Sequence, residues 1–221
     1  MKKISAVIFD LDGVIVDSEP LSIKTWKQAL EDYNYKITEQ EIRGYIGHSN
    51  AHIENALYEK YGANFQYEEI FAHKSDLFKD MIKRGKLMTK EGVKEVISFL
   101  HSKNIKICVA SSTPRKDVVA RLVAVDLLEQ FEFILGGDDV QSPKPSPDLF
   151  LKAAELLNVQ PEECLVVEDS NAGVEAAVKA GMRVCLVVDL ITPTKDSIAK
   201  AEGYFKNHNE LLNYFKSVFV A

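Results

Sequence analysis

The stretch Phe9-Asp10-Leu11-Asp12-Gly13-Val14 decides the fold, because it stands where the first apolar run of the chain, residues 4–9, comes to an end. That run is short and rich in β-forming residues, which predicts a buried strand. Ligands of open α/β sheets bind outside the carboxyl ends of the strands, so we expect a reactive group at Asp10. Gly13 permits a sharp turn that leaves nearby backbone N–H groups free to face an anion.

Four further apolar runs predict additional strands, at residues 105–110, 131–135, 164–167 and 184–188. Helical periodicity lies between these runs, as in the face formed by Val93, Val96, Ile97 and Leu100. Strands that alternate with helices favour a parallel sheet covered on both faces. The sequence therefore predicts an α/β fold with a Rossmann-like parallel sheet as its core.

One region interrupts this alternation, since residues 18 to about 85 show helical patterns only. A segment of this length without strands is too long for a loop in a compact domain. We therefore predict a small bundle of four helices at residues 18–86, inserted after the first strand. Residues 1–17 and 87–221 would together form the catalytic core.

Composition limits the function classes. The 221 residues carry 27 basic and 33 acidic side chains, a net charge of −6, and 46% are hydrophobic. No apolar run approaches the roughly 20 residues of a membrane helix, and an acidic chain is a poor nucleic-acid binder. Cys108, Cys164 and Cys185 lie in strand-like runs without metal-site spacing, which indicates buried free thiols. We expect a cytoplasmic monomer that binds neither membranes nor nucleic acid.

Polar residues also stand at the ends of other predicted strands. Ser111 and Ser112 follow the second strand, where hydroxyls beside a helix N-terminus suit phosphate oxygens. A helix-capping role is the alternative for Ser111. Lys144 lies between Pro143 and Pro145, which restrict the backbone on both sides of it. A solvated surface lysine needs no such restraint, so we expect Lys144 to hold phosphoryl oxygens.

Acidic side chains dominate the predicted edge, because Glu168 and Asp169 end the fourth strand as Asp10 and Asp12 end the first. Two like charges about 4 Å apart repel by about 4 kcal/mol at an effective dielectric constant of about 20. One lysine cannot neutralise four carboxylates, so either some are protonated or a divalent cation is bound. Oxygen ligands with an open position for substrate favour Mg²⁺.

This set of residues predicts phosphoryl transfer through an aspartyl-phosphate. Asp10 would be the nucleophile, while Lys144 and the Ser111 region would hold the phosphoryl oxygens. Asp12 would protonate the leaving alcohol and then deprotonate the water that cleaves the intermediate.

Taken together and in order, these residues resemble the four motifs of the haloacid dehalogenase superfamily along the whole chain. The residues that carry the resemblance are Asp10 to Val14, Ser111, Lys144, and Glu168 with Asp169. The helical insert resembles the four-helix cap of the subgroup that contains β-phosphoglucomutase and many sugar-phosphate phosphatases. The resemblance implies that such a cap closes over the core and excludes bulk water.

The resemblance also implies a metal site. In this sequence Mg²⁺ would be bound by Asp10, the backbone carbonyl of Asp12 and Asp169, with Glu168 near or on the metal. Asp12 argues against true dehalogenation, which the resemblance associates with a metal-free site.

The insert departs from the mutase pattern. Ser22 stands where the mutase has a histidine, and Asn50 where it has an arginine. These neutral side chains favour hydrolysis over phosphate migration. Lys74 resembles a cap lysine of the mutase, and His48 is a candidate substrate contact in the neighbouring loop. The alternative for both residues is a solvated surface position.

Three functions are consistent with these residues. We expect a Mg²⁺-dependent phosphatase that acts on a small phosphorylated metabolite, a sugar phosphate above all. A phosphosugar mutase of the β-phosphoglucomutase type is the main alternative. A non-enzymatic phospho-aspartate switch is the third, although the helical insert and Asp12 disfavour it.

Overall fold

The chain divides into two compact units. The computed structural model describes residues 3–45, 50–190 and 192–219. We call Met1–Asp17 together with Met88–Ala221 the core unit, and Ser18–Leu87 the helical unit. The predicted division between residues 86 and 87 lies one residue away from this boundary.

The core unit is built on a parallel sheet. Its strands, within the described residues, are β1 (Ala6–Phe9), β2 (Lys106–Ala110), β3 (Ile134–Leu135), β4 (Cys164–Glu168), β5 (Arg183–Val187) and β6 (Gly203–Phe205). The strand order is β3-β2-β1-β4-β5-β6, and every neighbouring pair is parallel. The predicted α/β fold with a Rossmann-like sheet is confirmed. The switch in strand order beside β1 is the place where such sheets bind ligands.

Ten α-helices connect or flank the strands in the described parts of the chain. They are α1 (Glu19–Asp32), α2 (Glu39–Arg43), α3 (Asn50–Tyr61), α4 (Tyr67–Lys83), α5 (Val93–Ser102), α6 (Arg115–Ala124), α7 (Asp148–Leu157), α8 (Asn171–Lys179), α9 (Lys195–Lys200) and α10 (His208–Val218). None of them combines the length and the apolar character that crossing a bilayer requires.

The central strands are buried on both sides, and all four residues of β1 are inaccessible to solvent. Ala6 and Ile8 pack in one cluster with residues of α7 and α8, including Phe150 and Val174. Helices α5 and α10 contribute nothing to this cluster, and they contact each other and strands β2 and β5. Helices therefore cover both faces of the sheet, as the continuous apolar strands require.

Two edge elements differ from the sequence prediction. Strand β3 is limited to Ile134–Leu135, because only these residues continue the ladder beside β2. Strand β6 (Gly203–Phe205) was not predicted, since Tyr204 is exposed, the other two residues are only partly buried, and the three form no apolar run. Short edge strands of this kind leave little signal in hydrophobic patterns.

The helical unit contains α1 to α4 and an apolar centre of its own. Trp26, Leu30, Leu57 and Ile70 are buried there. Thr38 and Glu41 form the capping box that begins α2: the Glu41 N–H donates to the Thr38 hydroxyl, and the Glu41 carboxylate accepts the Thr38 N–H.

The three cysteines are buried, and none of them forms a disulfide bond. Burial raises the pKa of the Cys164 thiol to about 12, which keeps it protonated at neutral pH. The predicted cytoplasmic location and monomeric state stay predictions.

Candidate active site

The loop after β1 makes a tight turn over the sheet edge. The Asp10 N–H donates to the Val167 carbonyl of β4 (2.9 Å), which continues the ladder past the end of β1. Gly13 follows with φ of +78°, a conformation that side chains disfavour. A β-carbon at this position would lie 2.4 Å from Oδ2 of Asp169 and 2.9 Å from Oδ2 of Asp189. The glycine therefore lets the loop approach two carboxylates.

Lys144 links the ends of three strands. Its ammonium group donates to Oδ1 of Asp10 (2.6 Å), to Oε1 of Glu168 (2.7 Å) and to the Ala110 carbonyl (3.1 Å). It also lies 4.7 Å from the centroid of the Phe150 ring. The side chain is only 4% exposed, and its three hydrogen bonds use the full donor capacity of an ammonium group. Asp10 and Lys144 meet at the place where the sequence predicted a phosphate-handling site.

The second oxygen of Glu168 is bound by the start of α8. Oε2 accepts the N–H groups of Asp169 (3.0 Å) and Ser170 (3.0 Å) and the Ser170 hydroxyl (2.9 Å). Gly173 provides the space, since a β-carbon there would collide with the Glu168 carboxylate. Both oxygens of Glu168 are therefore engaged, and the residue anchors Lys144. Its role as a metal ligand stays a prediction.

Burial and crowding of negative charge raise two carboxyl pKa values in this cluster. The pKa of Asp10 rises to about 7, because burial outweighs the opposing effect of Lys144 and because Glu168 and Asp12 add repulsion. The pKa of Asp169 also rises, through burial first and then through Glu168, Asp10 and Asp189. Burial alone would lower the pKa of Lys144, but Asp10 and Glu168 raise it, so this residue stays cationic.

The chemistry of these donors fits Mg²⁺. Asp169 and Asp10 provide hard oxygen ligands, and the excess negative charge around Asp169 favours a cation. Within the described residues, no three carboxylate, histidine or cysteine side chains form a complete metal-binding group. The predicted ligands are Asp10, the backbone carbonyl of Asp12 and Asp169, with Glu168 near or on the metal, and this set stays a prediction.

Asp12, the predicted proton-transfer residue, is held on both of its carboxylate oxygens. The Thr113 hydroxyl donates to Oδ2 (2.9 Å), and Nη1 of Arg121 donates to Oδ1. Arg121 was not predicted as a site residue, because a single arginine on a helix carries no motif. Its approach to Asp12 depends on how α6 packs against the core.

The predicted phosphate-binding serines lie in the connection between β2 and α6. Ser111 is buried, and its N–H donates to the Leu135 carbonyl (3.1 Å). Its hydroxyl accepts the Thr113 N–H (3.1 Å), while Pro114 occupies the N-cap of α6, so the structure does not show Ser111 as the helix cap. Ser112 is exposed. Phosphate binding by both serines stays a prediction.

A further carboxylate, Asp189, lies just beyond the end of β5. Its side chain is 4% exposed and accepts a hydrogen bond from Lys90 (2.7 Å), which also lies 3.5 Å from Asp17. The same rule that selected Asp10 and Glu168, a polar residue at the carboxyl end of a strand, would have found Asp189.

The predicted cap residues belong to the helical unit. The Lys74 ammonium lies 5.6 Å from the ring centroid of Trp26 and 5.1 Å from that of Phe78. Such cation–π contacts hold a lysine in place. His48 lies outside the described residues. Ser22 lies on α1, and its carbonyl accepts the Thr25 hydroxyl (3.0 Å).

Comparisons with known proteins find similar sequences over most of this chain. Residues 7–187 match the haloacid dehalogenase-like hydrolase family. A phosphorylated carbohydrates phosphatase of Thermotoga maritima is 34% identical over 218 residues, which cover 96% of this chain and 99% of that protein. A β-phosphoglucomutase of Bacillus subtilis is 31% identical over 185 residues, 80% of each chain.

The fold has close structural matches as well. The crystal structure of a candidate β-phosphoglucomutase from Thermotoga maritima superposes with a TM-score of 0.81 at 34% identity. The alignment covers 97% of this chain and all of that one. The similarity thus extends over both units of the chain.

Proposed function

The chain belongs to the haloacid dehalogenase-like hydrolase family and is a phosphatase of that family, and we propose that it hydrolyses a small phosphorylated carbohydrate through an aspartyl-phosphate on Asp10, with Mg²⁺ as cofactor. One observation carries the proposal. The Asp10 carboxylate stands at the carboxyl end of β1, 2.6 Å from a buried lysine ammonium and among further carboxylates. This setting suits a nucleophile that attacks a phosphorus atom surrounded by negative oxygens.

In the first step, an oxygen of Asp10 attacks the phosphorus of the substrate. The bond between phosphorus and the sugar oxygen breaks, and its electron pair moves to that oxygen, which takes a proton from Asp12. The products are a phosphorylated Asp10 and the free alcohol. Lys144, which already contacts Asp10, offsets the charge of the phosphoryl group, and the hydroxyls of Ser111 and Ser112 hold its oxygens.

In the second step, Asp12 accepts a proton from water as the water oxygen attacks the phosphorus. The bond between phosphorus and Asp10 breaks, and the carboxylate and inorganic phosphate are released. Asp12 regains the proton that it gave away, so the cycle closes without another acid or base.

Mg²⁺ would be held by Asp10, the Asp12 carbonyl and Asp169, with Glu168 beside it, and it would offset the charge of the phosphoryl oxygens. Burial first, and then the negative charges of Glu168, Asp10 and Asp189, raise the pKa of Asp169, and a bound cation at this position would offset both effects.

The substrate class rests on relatives. A fructose-1-phosphate phosphatase of Escherichia coli and the Thermotoga maritima phosphatase carry carbohydrate phosphates in their names. We propose that the helical unit is the cap that closes over such a substrate and that Lys74 and His48 contact it. The mutase is the second candidate, because the Bacillus subtilis relative bears that name. The neutral residues Ser22 and Asn50 favour hydrolysis.

The test is a screen of the purified full chain against hexose 1-phosphates and 6-phosphates with Mg²⁺ present. Released inorganic phosphate and formed isomers are both measured, with and without a hexose bisphosphate primer. We expect phosphate release from the wild type, loss of more than a thousandfold in Asp10→Asn, and full activity in Asp196→Asn, a matched change at an exposed position on α9.

Each other outcome contradicts part of the proposal. Isomer formation that needs the primer and releases no phosphate would replace the phosphatase by the mutase. Turnover by Asp10→Asn at the wild-type rate would remove Asp10 from the nucleophile role.

A further inference from the structure

We propose that Arg121 is a positioning residue that orients Asp12 for proton transfer. This inference rests on the proposed function, since it assigns a task to a residue beside the proposed acid and base. It adds to the site a side chain that lies 109 residues further along the chain and on a helix rather than at a strand end.

Two contacts of Asp12, one on each carboxylate oxygen, bear on its orientation. Arg121 donates through Nη1 to Oδ1, and Thr113 donates through its hydroxyl to Oδ2 at 2.9 Å. Because each oxygen has its own donor, rotation of the carboxylate about the Cβ–Cγ bond would break both contacts. The side chains of Arg121 and Asp12 are only 16% and 23% exposed, so water screens the ion pair incompletely.

Both donors come from one segment of the core. Thr113 lies in the connection between β2 and α6, and Arg121 lies on α6 two turns later. Ser111, at the start of the same connection, has its hydroxyl bound to the Thr113 N–H. The segment that the proposed function assigns to the phosphoryl oxygens therefore also sets the direction of the Asp12 carboxylate.

Orientation matters because a proton moves only over a hydrogen-bond distance. When Asp10 attacks phosphorus, the electron pair of the breaking P–O bond moves to the leaving oxygen, and Asp12 must reach that oxygen with its proton. A carboxyl group that rotates freely would be within hydrogen-bond distance of the leaving oxygen for a smaller fraction of the time. A substrate with a basic leaving group needs the proton, whereas a substrate with a stable leaving anion does not.

The experiment compares kcat/KM for phenyl phosphate and for p-nitrophenyl phosphate, which have similar shapes but leaving groups of different basicity. In Arg121→Met, which keeps an unbranched apolar side chain of similar length, we expect kcat/KM for phenyl phosphate to fall at least tenfold more than that for p-nitrophenyl phosphate. Arg121→Lys should restore part of the difference. Thr113→Val, which removes the other contact, should change the ratio in the same direction.

The control is Arg183→Met. Arg183 and Glu202 form an ion pair with similar exposures, 20% and 19%, away from the site, so this variant loses a matched ion pair and should keep the wild-type ratio. An equal fall for both substrates in Arg121→Met and in Thr113→Val would overturn the inference and leave the proposed function standing. A wild-type chain that releases phosphate from no substrate would overturn both.

Discussion

The carboxylate of Glu168 occupies the space that a β-carbon would need at position 173, with Oε1 only 1.8 Å from where that atom would be. Gly173 lies in the first turn of α8, where alanine would favour the helix by about 1 kcal/mol. The glycine is therefore explained by the site and not by helix stability. The absence of a side chain at position 173 lets the Glu168 carboxylate lie against the first turn of α8 and accept a hydrogen bond from Lys144.

We predict that Gly173→Ala lowers kcat for phosphate release at least tenfold, because the displaced Glu168 no longer anchors Lys144. Steady-state kinetics and thermal unfolding are measured on the same samples. Gly181→Ala is the control: its positive φ of 73° strains an alanine, but nothing lies within 4 Å of the new β-carbon. That variant should lose stability and keep kcat. Unchanged kcat in Gly173→Ala would contradict the anchoring role of Glu168.

A second prediction concerns the buried cation. Lys144→Met leaves Asp10 and Glu168 facing each other without a counter-charge, and removal of one partner of a buried ion pair typically costs about 3–5 kcal/mol. Urea unfolding should show a loss of this order. Lys200→Met, which removes an exposed partner of Asp196 on α9, should show no comparable loss. Equal unfolding midpoints for the two variants would mean that Lys144 contributes little to the core.

The third prediction is a pH dependence of stability that arises from His208. This side chain is 1% exposed, and Nε2 has no hydrogen-bond partner within the described residues. Burial, with a smaller contribution from Lys90, lowers its pKa from 6.5 to about 4. Between pH 6.5 and about 4, His208 is therefore protonated in the unfolded chain and neutral in the folded chain. The stabilising effect is complete above pH 6.5 and is lost as the pH falls toward 4.

Urea unfolding of the wild type and of His208→Gln at pH 7 and pH 5 measures this effect. The wild type should lose about 2 kcal/mol more than the variant between the two pH values. Parallel losses in both proteins would show that other groups cause the acid sensitivity. The comparison cancels their contribution, because the two chains differ at one position only.

The fourth prediction concerns the metal. We expect chelation to abolish phosphate release and excess Mg²⁺ to restore it. Independently of activity, Mg²⁺ should raise the thermal midpoint of the wild type, because a ligand at 100 times its dissociation constant stabilises by about 2.7 kcal/mol. Asp169→Asn should lose this increase and Asp196→Asn should keep it. An equal increase in both variants would place the ion away from Asp169.

The site residues that could be predicted best from the sequence are those at the ends of strands. Asp10, Ser111 and Glu168 each follow an apolar run, and parallel strands place such residues at one edge whatever the details of packing. Lys144 stood out through its flanking prolines, and the structure joins it to Asp10 and Glu168. The roles of these residues in catalysis and metal binding await the experiments above.

The sequence by itself determined the sheet, the helical insert and the carboxylate-rich edge, because apolar runs and their ends are local properties of the chain. Only the tertiary structure decided that the two carboxylate oxygens of Glu168 bind Lys144 and the start of α8, and that Arg121 donates to Asp12. The tertiary structure also decided that the Asp189 carboxylate lies near Asp169 beside the Gly13 turn. These contacts depend on the distances between side chains of different elements. Such distances are set by how the elements pack, which no pattern within a single element encodes.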